Sequence, residues 1–144
     1  MQIPSQIFHC RLEAPFHALE VRRAREEQLD QCLRVGVADF LAWDLAAIVD
    51  ELASNILLYS QATWMEWSLS RDAEEGILIL RMQDNGARFD PATHPLAPAG
   101  FGYRGKMGIA MVRRLARGMR YKREASNINS LEVHLGPQAR LVLA

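Results

Sequence analysis

A two-layer α/β sandwich, with a mostly antiparallel sheet covered by three helices, is the fold class that three observations predict. Two long stretches in the first 60 residues repeat apolar side chains at helical spacing. About five short stretches alternate in polarity or are continuously apolar, as strands with one covered face require. A third, shorter helical repeat lies between the strands, so helices and strands share one core.

The first strand is expected over residues 7–12, Ile-Phe-His-Cys-Arg-Leu, ending near Pro15. A helix follows from about His17 to Arg34, with Val21, Ala24, Leu29 and Cys32 on a broad apolar arc and Glu20, Arg22, Arg23, Arg25, Glu26 and Glu27 on a solvated face. Gly36 stops it. A second helix is expected from about Asp39 to Ser60, where Leu41, Leu45, Ile48, Leu52 and Ile56 form the stripe and Tyr59 extends it. Residues 64–70 alternate with Met65, Trp67 and Leu69 on one side, and residues 71–76 read as a hairpin connection.

Residues 77–82 form a strongly apolar strand that delivers Asp84 to its C-terminal end. Residues 91–106 hold three prolines and three glycines with little periodicity, which predicts a long irregular loop of the kind that forms lids and binding segments. The third helix is expected over 107–117, with Ile109, Val112, Leu115 and Ala116 inward, Arg113, Arg114 and Arg117 outward, and Gly118 closing it. Two final strands, 119–124 and 130–135, are joined through Ser126-Asn127; Leu131, Val133 and Leu135 alternate with Glu132 and His134.

The 144 residues have the length of a single domain, and 49% of them are hydrophobic, enough to bury a core without disulfides or a structural metal. Seventeen basic residues balance seventeen acidic ones, so the chain has no electrostatic reason to seek nucleic acid or an anionic membrane. Only Cys10 and Cys32 are present, in apolar contexts that point to buried thiols and a reducing compartment. No apolar run approaches the ~20 residues that span a bilayer. The expectation is a cytoplasmic protein.

Three short stretches carry the chemistry. Glu51 and Asn55 lie four residues apart on the second helix, so both side chains occupy one face. A carboxylate there can take a proton from a hydroxyl, and an amide oxygen can coordinate Mg²⁺; an isolated pair of this type is otherwise an ordinary exposed one. Asp84-Asn85-Gly86 follows a buried strand, where a carboxylate can accept a hydrogen bond from an exocyclic amine such as that of adenine and Gly86 permits close approach. In isolation the same residues form a turn. Gly105-Lys106-Met107-Gly108 opens a helix whose free first-turn amides can bind phosphate, with Arg104 or Lys106 adding charge. It fits neither the P-loop nor the dinucleotide-binding pattern.

The order of Glu51-x-x-x-Asn55, Asp84-x-Gly86 with Phe89-Asp90-Pro91, and Gly105-x-Met107-Gly108-Ile109 leading into Met111-Val112-Arg113-Arg114-Leu115 resembles the GHKL ATPases. Within them it is most similar to the bacterial stand-alone anti-sigma-factor serine kinases of partner-switching systems, over roughly residues 7–136. The resemblance implies a Bergerat-type fold binding ATP and Mg²⁺. It assigns Glu51 as general base, Asn55 as the Mg²⁺ ligand, Asp84 as the adenine-reading carboxylate, Gly86 as the close-approach glycine, and Gly105 to Gly108 as the phosphate lid. Ser130 falls where the family commonly has a threonine near the adenine. Tyr59 stands where a histidine is frequent, Lys106 replaces a lid glycine, and Ala87-Arg88 replace small or proline residues. Lys106 either strengthens phosphate binding or clashes with it.

The resemblance further implies a homodimer whose partners are a sigma factor and a small anti-anti-sigma antagonist, phosphorylated on serine or threonine. The rival from another class is a binding module of the same fold that recruits a phosphatase or sensor, with ATP absent or structural. Phosphate transfer to an antagonist separates the two. A detached histidine-kinase catalytic domain fits less well, because the chain has no phosphoacceptor helix.

Overall fold

A computed structural model of the chain describes residues 5–93 and 104–137. The elements run β1 (Ser5–Glu13), α1 (Ala18–Arg34), α2 (Asp39–Tyr59), β2 (Trp64–Arg71), β3 (Leu78–Asp84), α3 (Arg104–Leu115), β4 (Gly118–Glu124) and β5 (Ile128–Leu135). The five strands form one sheet in the order β1-β2-β3-β5-β4, every pair antiparallel. The expected α/β fold, three helices with an antiparallel sheet, is the one observed.

Period-two alternation decides which side of the sheet meets the helices. Met65, Trp67 and Leu69 of β2, Leu78, Leu80 and Met82 of β3, and Leu131, Val133 and Leu135 of β5 are all buried and share a core with Leu45, Ile48, Val49 and Leu52 of α2. The other sheet face is mostly polar, with Trp64 and Ile79 among its apolar members. There His9 and Arg11 meet Glu66, and Glu132 accepts from Arg81 at 3.1 Å and sits 3.1 Å from His134. These contacts with His134 and Arg81 hold the Glu132 carboxyl below the usual range.

The helix boundaries have local causes. α1 stops at Gly36, whose φ of +83° is costly for residues with a side chain, and the amide of Val37 returns to the carbonyl of Cys32 at 2.9 Å. α2 ends where Ser60 turns its hydroxyl back to the carbonyl of Ile56 (2.6 Å) and Gln61 takes a left-handed conformation. Ser126 and Asn127, both at positive φ, make the β4–β5 turn. Both cysteines are free; Cys32 is buried, Cys10 half-buried, and burial pushes each thiol up to about 11.

Two boundaries differ from expectation. The third helix begins at Arg104 and ends at Leu115, so Gly105 to Gly108 lie in its first turns rather than in a preceding loop, and Gly118 opens β4 instead of closing the helix. Glycine costs only about 1 kcal/mol in a helix interior, and at Gly108 the missing side chain is what the packing requires. Residues 94–103 of the expected loop lie outside the described residues.

A polar residue joins the core between α1 and β2. Gln28, fully buried, accepts the indole N–H of the fully buried Trp67 at 3.0 Å, as a buried polar group must. The α1 periodicity did not reveal it, because a glutamine on the apolar arc reads as an interruption. Replacing Trp67 with Phe should destabilise the fold by about 1–3 kcal/mol, since the Gln28 amide loses its donor in a dry core; urea unfolding followed by circular dichroism measures it.

Candidate nucleotide site

The sheet and α2 converge at the C-terminal end of β3. Asp84 is the last residue of that strand and is 6% exposed. Its Oδ1 accepts the backbone N–H of Gly86 at 2.8 Å and the Nδ2 of Asn129 at 3.0 Å. Asn85 turns the other way, accepting from the amides of Thr63 (2.8 Å) and Trp64 (3.2 Å) and donating to the Thr63 hydroxyl at 2.6 Å. It therefore staples β3 to the start of β2. Burial raises the Asp84 pKa, opposed by the bonds from Asn129 and Gly86 and by the nearby Arg123 charge.

Gly86 is where β3 touches the end of α2. A Cβ built there would lie 2.7 Å from the backbone oxygen of Ser60 and 2.6 Å from its Cβ, and the next residue, Ala87, donates its N–H to that same oxygen at 2.9 Å. The close approach expected at Gly86 is thus an approach to the protein's own backbone. Phe89-Asp90-Pro91 continues as a turn in which Asp90 accepts from the Ala92 amide and the Thr93 hydroxyl, both at 2.9 Å.

Between these parts lies a cavity of about 290 Å³, in the size range of small-molecule sites. Leu52, Ile56, Met82, Ile109 and Leu131 give it apolar walls; Asn55, Asp84, Tyr121 and Asn129 give it polar groups. Asn55 Nδ2 is buried with no hydrogen-bond partner among the described residues. The protein therefore does not lock this amide, and it can turn its oxygen toward a ligand.

Glu51 stands one helical turn before Asn55 and does not line the cavity. Its carboxylate packs against Gly108 of α3, so closely that a Cβ at position 108 would overlap it. Burial, and secondarily the adjacent Asp50 charge, raise its pKa, which strengthens it as a proton acceptor near neutral pH. Asp50 itself is anchored to α1, with Arg25 Nε 3.0 Å from its Oδ1.

The profile of the histidine kinase-like ATPase domain matches residues 15–134. The chain belongs to that family. No curated relative matches it. A histidine kinase-like ATPase domain binds ATP and is an ATP-using enzyme; the cavity described above has mostly apolar walls and one buried carboxylate. No helix among the described residues is long and apolar enough to cross a membrane.

The structure of this ATPase domain brings Asn55 and Asp84 to one cavity, packs Gly86 against Ser60 at the end of α2, and sets Glu51 against Gly108 one helical turn before Asn55. Arg104, Gly105, Lys106 and Met107 occupy the first turn of α3, and their side chains lie outside the described residues. Ser130 is a correction. It sits on the opposite sheet face, 3.4 Å from Gln83 Nε2, while its neighbour Asn129 contacts Asp84. The parity of Leu131, Val133 and Leu135 contained this signal, because Asn129 shares it and Ser130 does not. Tyr121 and Arg123 went unnoticed because their strand carries more charge than hydrophobicity.

Asp84→Asn should leave the fold intact, because the amide oxygen still accepts from Gly86 and Asn129, but abolish ATP binding by placing a donor where an acceptor was. The raised Asp84 pKa fixes the sign of the pH effect: its stabilising neutral form is present at low pH and lost as pH rises through the folded-state value. Thermal melts of the two proteins should therefore show wild type gaining on the variant as pH falls through the carboxylate range.

Proposed function

We propose that this ATPase domain is an anti-sigma factor and serine/threonine kinase of a partner-switching system, transferring the γ-phosphoryl group of ATP to a small anti-anti-sigma antagonist. The observation that carries the reading is the convergence of Asn55 and Asp84 on one cavity with Glu51 a helical turn away. The motif order and spacing shared with stand-alone anti-sigma kinases support the choice of substrate. On this reading the protein works as a cytoplasmic homodimer and holds its sigma factor while the antagonist is phosphorylated.

The chemistry divides among the chain's own groups. Asp84 accepts a hydrogen bond from the base, and the apolar walls hold the ring. The backbone amides opening α3, from Arg104 through Gly105, Lys106 and Met107 to Gly108, stabilise phosphate charge. Asn55 supplies an amide oxygen for Mg²⁺; among the described residues no cluster of three or more His, Cys, Asp or Glu forms, and Mg²⁺ characteristically takes one or two protein ligands and completes its shell with phosphate and water. When bound, the ion neutralises charge on the β- and γ-phosphates. The substrate hydroxyl oxygen forms its bond to the γ-phosphorus as the bond to the β–γ bridging oxygen breaks; Glu51 takes the hydroxyl proton and ADP leaves.

The packing of Glu51 under Gly108 favours a second reading, a switch module of the same fold that binds nucleotide without transfer and signals through a phosphatase or sensor partner. One experiment separates them. With radiolabelled ATP and the cognate antagonist, the wild-type protein should form phosphoserine or phosphothreonine, and Glu51→Gln should reduce the rate by at least ~100-fold while ATP affinity, measured by calorimetry, stays within about threefold. Transfer at a normal rate in that variant removes Glu51 from the role of base. ATP binding by wild type with no transfer supports the switch module.

A further inference from the structure

The cavity's buried carboxylate is held by a polar network that extends to β4. Asn129 Oδ1 accepts two hydrogen bonds, from the Tyr121 hydroxyl at 2.5 Å and from Arg123 Nη1 at 3.0 Å. Both partners are obligate or committed donors there, so the amide oxygen must face them. The Asn129 Nδ2 is thereby turned toward Asp84 Oδ1 (3.0 Å) and the carbonyls of Ala87 (2.9 Å) and Gly86 (3.3 Å). Arg123 Nη1 also donates to the Gly86 carbonyl at 2.8 Å, fixing the backbone of the same turn.

The orientation of this amide has a chemical consequence. The N–H of Asn129 and the N–H of Gly86 both point at Oδ1, so these two bonds and the nearby Arg123 charge favour the ionised, accepting form of Asp84 against the burial that opposes it. If the amide faced the other way, its oxygen would meet a carboxylate oxygen, and only a protonated Asp84 could satisfy the contact. A protonated Asp84 donates. Donor or acceptor at this one position is the difference between complementing a 6-oxo and a 6-amino purine.

We propose that Arg123 and Tyr121 are positioning residues for base selection: by locking the Asn129 amide they keep Asp84 an acceptor and commit the cavity to a 6-amino purine over a 6-oxo purine. This rests on the cavity being the nucleotide site. Neither residue needs to touch the base through its hydrogen-bonding group, since both of those groups are engaged with Asn129. A merely structural role would weaken all nucleotides alike. A positioning role changes their ratio.

The test is calorimetric binding of ATP and ITP, with Mg²⁺ present, to wild type, Arg123→Gln, Tyr121→Phe and Asn129→Asp, each checked for folding by circular dichroism and tryptophan fluorescence. Wild type should prefer ATP by about tenfold or more, the scale of one buried hydrogen bond with an unpaired group in the mismatched complex. Arg123→Gln and Tyr121→Phe should each cut that ratio by at least about threefold. Asn129→Asp keeps acceptors for Arg123 and Tyr121 but sets a carboxylate against Asp84, forcing a shared proton, and should invert the preference toward ITP.

An unchanged ATP-to-ITP ratio in folded Tyr121→Phe, which removes a single hydroxyl, together with retained ATP preference in Asn129→Asp, overturns the proposal. Should Arg123→Gln fail to fold, those two variants still decide it. Binding of neither nucleotide by folded wild type overturns the nucleotide-site reading beneath it, an outcome distinct from selective binding that the variants leave untouched.

Discussion

The contact between Gly86 and Ser60 is the constraint on which the site depends. It is made of backbone on both sides, closed by the Ala87 N–H to Ser60 carbonyl bond at 2.9 Å. Through it the C-terminal end of the central strand is fixed against the C-terminal end of α2. Asp84 precedes this junction by two residues and Asn55 lies little more than one helical turn before it, so their separation is set by main-chain packing. Side-chain rotamers alone cannot hold a constellation this well, because each long side chain loses conformational entropy on being ordered.

Around that junction, polar groups are buried in a sequence that leaves few of them unmatched. Asn85 fastens β2, Asn129 fastens β5, and Arg123 brings in β4, so four strands meet one turn through side-chain hydrogen bonds. Buried networks of this kind are costly when partly satisfied and rigid when complete. The carboxylate at the centre of this network is also one of the polar groups that line the cavity. The exposed ion pairs on the opposite sheet face, such as Arg81 with Glu132, contribute little by comparison.

Much of this architecture was legible in the residues. The stripes of α2 and the alternation of β2 and β5 are strong because a single face of each is covered, and burial then enforces the period. The placement of Glu51 and Asn55 on one helix and of Asp84 at a strand end was legible because helical spacing and strand position are local properties. Gln28 and Arg123 were invisible for the opposite reason, since their partners, Trp67 and Asn129, come from other elements. Ser130 was a one-residue error in a period of two, which exchanges the faces of a sheet. The start of α3 was misplaced because glycines that read as loop formers are tolerated in a helix whose surface another side chain needs to approach.

Adjacent residues of α3 serve two different neighbours. Ile109 forms part of the cavity wall, while Gly108 lies on the Glu51 carboxylate. Successive residues on a helix point about 100° apart, so neighbours in sequence face different surroundings. The wall of the cavity and the cover over Glu51 are therefore consecutive positions of one helix, and the placement of α3 sets both at once. The smallest residue in the chain acts here as a spacer, letting α3 seat Ile109 in the cavity wall while leaving room for the acid beside it.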